Sequence, residues 1–149
     1  MIAMRLYRFS RWLYERRLTL FAKLIMEVNN CINNSYIPYT AQIGRGTKFA
    51  YGGIAVVIHT NSIIGENCTI GQCVTIGGRT GHGGPPIISD NVYIGPGVRL
   101  LGNYTIGNNV VIGANSVVLD EVGENSIVVG IPGKVVSRDV SKFREENII

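Results

Sequence analysis

Counting in sixes from Ile58 lands on Ile64, Ile70, Ile76, His82, Ile88, Ile94, Leu100, Ile106, Ile112 and Val118; with Ile58 itself, ten of the eleven positions are aliphatic. The next residue is glycine at Gly65, Gly71, Gly77, Gly83, Gly95, Gly107 and Gly113. A fixed period of six is neither the 3.6 of an amphipathic helix nor the 2 of a half-buried strand, and it marks a parallel β-helix in which three hexapeptides make one triangular coil. The aliphatic side chains then stack inward, coil upon coil, and the glycines take corners that need φ > 0 or a close backbone approach. Four places further on, Ser62, Cys68, Val74, Val92, Val98, Val110 and Ser116 suit a second inward position. The composition agrees: 19 glycines with 46% hydrophobic and 16% charged residues are too apolar for disorder and too irregular for collagen. A chance Ile-Gly bias in a β-sandwich does not account for so long a register.

The stretches "IGENCTIGQCVTIGG" and "YIGPGVRLLGNYTIGNNVVIGANSVVLDEVGENSIVVGIPGKVV" resemble the β-helix of hexapeptide-repeat acyltransferases, and "VVIHTNSIIGENCTIGQCVTIGG" resembles their serine acetyltransferase-like branch. The resemblance implies an all-β fold, a left-handed parallel β-helix of hexapeptide repeats over 36–136 with a protruding loop at 78–87. Residues 1–35 form a short basic helical segment before it, and 137–149 are expected as a helical C-terminal tail. The hand rests on the resemblance alone, because a period of six carries none. The resemblance also implies acetyl-CoA as acetyl donor and a homotrimer whose cofactor groove lies between neighbouring β-helices. Val56, Val57, Val111 and Val117 are expected on weakly charged outer faces, which suits burial against neighbours.

The N-terminal segment carries Arg5, Arg8, Arg11, Arg16, Arg17 and Lys23 against Glu15 and Glu27, with Ile2, Leu6, Phe9 and Leu13 at helical spacing. This reads as a basic amphipathic helix. A second helix is expected over Leu18 to Val28 after a break near Arg16 and Arg17, and Asn29 to Ser35 reads as a polar linker. No apolar run reaches the roughly 20 residues that span a bilayer, and arginine and glutamate interrupt the stretch where a signal peptide has its apolar core. Peripheral contact with an anionic membrane through residues 1–28 is one reading. The favoured one packs the helix on the β-helix or on another subunit, with its arginines solvated. Nucleic acid is not an expected partner, since the basic residues lie on one short segment without interleaved stacking aromatics. Cys31, Cys68 and Cys73 form neither a CxxC pair nor a Cys/His cluster, so no metal is expected; reduced thiols point to the cytoplasm, with the inner face of the membrane left open.

Moving an acetyl group from a thioester to a hydroxyl needs a base for the hydroxyl proton and a donor for the developing oxyanion, and no metal. Histidine is the natural base near neutrality, and the chain has His59 and His82. His59, in "VVIHTN", occupies a corner where other coils place glycine, so its imidazole should project outward. The resembling enzymes carry a histidine in "VIH" here; a surface histidine filling a corner is the alternative. His82 lies in "GGRTGHGGPP", between Ile76 and Ile88, where the phase survives but the inward aliphatics are missing, so the stretch must bulge. In the resembling enzymes such a loop reaches over the acceptor and thioester of the adjacent subunit. A mobile loop with a solvated histidine is the alternative there. The resemblance further assigns cofactor contacts to Gly77, Gly78 and Ala114, and to Lys134 for the CoA phosphates with Arg79 or Arg138 assisting. Pro96, one coil before Ala114, has no N–H to offer.

Several family positions differ. The aspartate beside the first coils is Tyr36, the aspartate-histidine pair is Ala50-Tyr51, and the loop histidine is Pro85, so His59 and His82 would be a displaced pair. Losing carboxylates that would hold an ammonium favours a neutral acceptor, a sugar of a surface polysaccharide or its precursor. Tyr36, Tyr39 and Tyr51 can stack on a sugar ring or pack at an edge, and Tyr36, Tyr51 and Asn61 are the acceptor-binding candidates. Serine O-acetylation is the alternative. A non-catalytic β-helix that serves as an interaction subunit is the alternative of another class. Without a long helical N-terminal domain, a simple trimer is expected.

Overall fold

The computed structural model describes residues 2–141 and 143. Two helices, α1 (Ile2–Glu15) and α2 (Thr19–Asn33), precede a stack of short strands. The first coil is β1 (Gln42–Ile43), β2 (Lys48–Phe49) and β3 (Val57–Ile58), and the second is β4 (Ile63–Ile64), β5 (Thr69–Ile70) and β6 (Thr75–Gly77). The third is β7 (Ile87–Ile88), β8 (Tyr93–Ile94) and β9 (Arg99–Leu101), and the fourth is β10 (Thr105–Ile106), β11 (Val111–Ile112) and β12 (Val117–Val118). β13 (Ile127–Val129) adds one more side, and β14 (Lys134–Ser137) folds back on it antiparallel. Each side of the prism is a sheet: β1-β4-β7-β10, β2-β5-β8-β11-β13-β14 and β3-β6-β9-β12.

The ladders place like on like. Ile43, Ile64, Ile88 and Ile106 stack on the first sheet; Phe49, Ile70, Ile94, Ile112 and Val128 on the second; Ile58, Ile76, Leu100 and Val118 on the third. All are buried, and so are Ser62, Cys68, Val74, Val92, Val98, Val110 and Ser116 at the second inward position. Each large inward side chain contributes about 1.5–3 kcal/mol by leaving water, and one six-residue rule supplies the whole column. Burial pushes the Cys68 thiol above its ordinary pKa.

The corners divide two tasks that the glycines were expected to share. After β4 and β5 the glycines are there for close approach: a Cβ on Gly65 would lie 2.6 Å from the Ser89 carbonyl carbon, and one on Gly71 would lie 2.6 Å from the Pro96 nitrogen. The left-handed backbone is instead carried two residues later, chiefly by Asn67, Asn91, Asn109, Asn115 and Asn125, with φ between 55° and 59°. Asparagine tolerates that region because its short amide bonds locally.

The helices close the open end of the prism. Ala3 and Tyr7 enter the core beside Phe49. The Tyr7 hydroxyl donates to Ala41 O at 2.7 Å and accepts from the Ile43 N–H at 3.2 Å. Arg8 donates to Ile43 O at 2.6 Å and Gly44 O at 2.5 Å, and Arg11 donates to Thr40 O at 3.1 Å and Ala41 O at 2.9 Å. The first coil has no coil beneath it, so its backbone groups would otherwise lack partners. Arg8 and Arg11 are therefore docking groups, not the solvated arginines expected from sequence.

Two further expectations change. The stretch over Asn29 to Asn33 is helical, not a linker: buried Asn29 donates to Ala3 O at 3.2 Å and so ties α2 to α1. Of the four valines expected outside, Val56 and Val111 are buried; Val56 falls at the second inward position. In the 137–149 segment, Ser137 ends β14, and residues 142 and 144–149 lie outside the described residues. Among the described residues no helix is long and apolar enough to cross a membrane.

Candidate active site

The corners that follow the third sheet keep glycine at only one of four places. Their residues are His59, Gly77, Leu101 and Leu119. The pairing of Ile58 with Ile76, and the His59 N–H donating to Ile76 O at 2.9 Å, set His59 beside Gly77 one coil away. A Cβ on Gly77 would meet only Leu101 Cδ2 at 3.6 Å and Thr75 Cγ2 at 4.0 Å, which is ordinary contact. Packing therefore does not demand glycine at 77, as it does at 65 and 71. What its hydrogen leaves is bare backbone one rung of the ladder from the backbone of His59.

His59 is half-buried, and its Nδ1 accepts the Asn61 N–H at 3.1 Å. A neutral ring held so carries its proton on Nε2. For Nε2 to receive a proton the ring must give up the bond from Asn61 and move its own proton from Nε2 to Nδ1 by exchange with solvent; the lost bond costs about 0.5–1.5 kcal/mol. That is small beside a catalytic barrier, so the ring is oriented without being locked. Asn61 acts here through its backbone, and its side chain is exposed. Among the described residues no carboxylate hydrogen-bonds either histidine.

The interrupting loop leaves directly from Gly77 and ends at the buried Pro85 and Pro86; Ile87 already belongs to β7. It is braced. The His82 N–H donates to Arg79 O at 2.9 Å, the Asn103 N–H donates to His82 O at 3.2 Å, and the Gly102 N–H donates to Gly77 O at 3.1 Å. The backbone of His82 is thus pinned to the next coil while its ring, with Gly78 and Arg79, stays exposed.

The other candidates lie elsewhere. Ala114 is on the corner between the second and third sheets, stacked over Pro96, whose carbonyl accepts the Asn115 N–H at 2.8 Å. Lys134 is exposed on β14 opposite Val129, whose side chain packs by Gly113. Ala114 and Lys134 thus share the corner at which strands of the third sheet begin, and His59, Gly77, Gly78, Arg79 and His82 cluster where they end. Tyr51, 75% exposed with φ 49°, sits on the short 3-10 turn Ala50–Gly53, on the Ala114 side of the prism. Tyr36 bridges to Val57 beneath the third sheet, and Tyr36 and Tyr39 line one small cavity with Lys23, Met26, Pro38, Thr40 and Thr60. Sequence reading placed Lys23 on the basic helix without linking it to the tyrosines, since nothing in the period relates a helix to a coil. Among the described residues no group of three or more histidine, cysteine or carboxylate side chains could hold a metal ion.

Residues 85–120 match the family described as bacterial transferase hexapeptide (six repeats). The chain is 46% identical over 129 residues to the serine acetyltransferase of Staphylococcus xylosus, a match that covers 85% of this chain and 59% of that protein. The chain carries the hexapeptide repeat and resembles serine acetyltransferases over most of its own length. Its β-helix matches the left-handed one of hexapeptide-repeat proteins. Among solved structures it superposes on a Brucella abortus serine acetyltransferase in complex with coenzyme A, with TM-score 0.86, 29% identity, and coverage of 92% of this chain and 55% of that one. A Neisseria gonorrhoeae serine acetyltransferase in complex with serine gives TM-score 0.82 and 32% identity over 89% of this chain and 54% of that one. The chain spans between 54% and 65% of the length of the curated relatives it matches.

Proposed function

We propose that the chain is an acetyl-CoA-dependent O-acetyltransferase for a small hydroxyl acceptor, with serine favoured over a sugar. The observation that carries the reading is His59 oriented beside a glycine that packing does not require, at the point where the loop bearing His82 departs. His59 takes the acceptor's hydroxyl proton as the oxygen attacks the thioester carbonyl. His82 and loop N–H groups stabilise the oxyanion, and the thiol leaves with a proton as the acetyl ester forms. The loss of family carboxylates argued for a neutral sugar, but identities of 38% to 46% with serine acetyltransferases support serine instead.

Within one chain, Ala114 and Lys134 lie across the third sheet from His59 and the loop. Lys134 is an exposed cation without an ion pair among the described residues, which suits CoA phosphates. A groove between neighbouring copies would bring one corner of each together, so a homotrimer is part of the proposal. The test is release of free thiol from acetyl-CoA, with L-serine run against a panel of sugars. Release dependent on L-serine is expected; release with sugars alone would return the sugar reading, and none with any acceptor would favour the non-catalytic one.

A further inference from the structure

The two N-terminal helices bury one face each and leave the other exposed. In α1, Ala3, Tyr7 and Ser10 are buried, while Ile2, Arg5, Phe9 and Trp12, spaced along the opposite side, are exposed. In α2, Ala22, Met26 and Asn29 are buried, while Leu20, Phe21 and Leu24 are 83%, 60% and 59% exposed. Phe9 and Trp12 stack with ring centroids 5.8 Å apart. Three surface grooves run together here. Phe9 lines both the groove beside Trp12 and the one between the helices, and Phe21 and Leu24 line that second groove and the next. The result is one apolar strip across both helices, and a contiguous strip of that kind marks an interaction surface.

The charges around the strip select its occupant. Arg8 and Arg11 are taken up by carbonyls of the first coil, and Glu15 pairs with Arg11 at 3.1 Å. Lys23 and Glu27 line one groove and offset each other. That leaves Arg5 in the groove beside Trp12, and Arg16 and Arg17 at the turn between the helices, all three exposed. The Arg16 guanidinium lies over the Trp12 ring, 3.8 Å from its centroid, and Arg17, at φ 64°, closes the turn. A second copy docked about a two-fold axis would set these arginines against their own duplicates, and like charges oppose that contact. An apolar strip with a tryptophan and arginines at its margin matches instead the edge of a bilayer, where apolar side chains enter the acyl layer and cations reach back to anionic headgroups. We infer that the outer face of the helix pair docks the protein on an anionic lipid surface, with Phe9, Trp12, Leu20, Phe21 and Leu24 inserted and Arg5, Arg16 and Arg17 at the headgroups. The inner face, with Tyr7, Arg8 and Arg11, meanwhile holds the prism to the pair.

The experiment is flotation of the full chain with vesicles of phosphatidylglycerol and phosphatidylcholine in equal parts, against vesicles of phosphatidylcholine alone. Wild type is compared with Phe21→Ser plus Leu24→Ser and with Arg16→Gln plus Arg17→Gln, and a thermal melt checks that each is folded. Wild type should float with the anionic vesicles, far less with the neutral ones, and less as salt is raised. Removing the two arginines should weaken binding about tenfold or more, as expected for two cations at an anionic surface. Removing the two apolar side chains should also weaken it about tenfold or more, through the lost burial. If that variant fails to fold, Leu20→Ser, at the most exposed of these positions, carries the same test. No flotation of wild type, equal flotation with both vesicles, or undiminished flotation of the apolar variant would each overturn the inference. So would self-association through this face in place of flotation, which would make a second copy the occupant. Binding to polyglutamate as tight as to the anionic vesicles would overturn it in favour of an acidic protein.

Discussion

In the proposed reaction His59 is the base, and its placement favours that role over that of a merely exposed side chain. A rigid corner holds an imidazole within the hydrogen-bonding reach a base needs better than a loop does. Its bond from Asn61 favours the tautomer protonated at Nε2, and losing that bond costs little, so the ring can pass its proton to Nδ1 through solvent and then accept at Nε2. His82 has a pinned backbone and a free ring, which suits orientation of the acceptor or of the thioester oxygen. We expect His59→Ala to lower kcat by ~10²–10⁴-fold with CoA affinity kept. His82→Ala should have a smaller effect on kcat and a larger one on acceptor KM. Steady-state kinetics with each substrate varied separates the two; near-normal kcat for His59→Ala would transfer the base to another group.

At the scale of elements, the corner glycines are the joints of the prism. A methyl at Gly71 would press into the Pro96 backbone, which cannot swing aside as a side chain could, so two coils would have to part. Gly84, in the loop, has nothing within 4 Å of its would-be Cβ and no positive φ. Gly71→Ala should therefore destabilise the protein by about 1–3 kcal/mol, the range for overpacking. Gly84→Ala should cost nothing, and can gain about 0.4–1 kcal/mol by restricting the unfolded chain. Urea midpoints measure both. Equal shifts for the two variants would mean that the close approaches in the corners are not what holds the coils together.

For the whole molecule, the decisive fact is that the candidate site residues divide between two corners of one narrow prism. Side chains on opposite edges of a sheet are held apart by its strands within a chain, whereas two copies, each offering a different corner, bring them to one groove, and a closed ring of three would make three equivalent grooves. Light scattering should report a trimer, and CoA binding should fall away on dilution to monomer. A stable monomer that binds CoA with full affinity would refute the shared groove.

The inward columns and the overall architecture could be read in the sequence because every coil repeats the same local environment, so one rule of spacing holds throughout. His59 and Gly77 could be read as neighbours for the same reason: they lie one 18-residue coil apart. Tertiary structure alone decided whatever happens where the repeat stops. Arg8 and Arg11 look like solvated charges until the unpaired carbonyls of a first coil are set against them. Asn29 looks like linker until α1 lies alongside. Lys23 comes to share a cavity lining with Tyr36 and Thr60 only when α2 packs over the start of the β-helix. Period carries contacts between equivalent positions, but a helix meeting a coil has no common period with it, and only the packing of the two says which residues face each other.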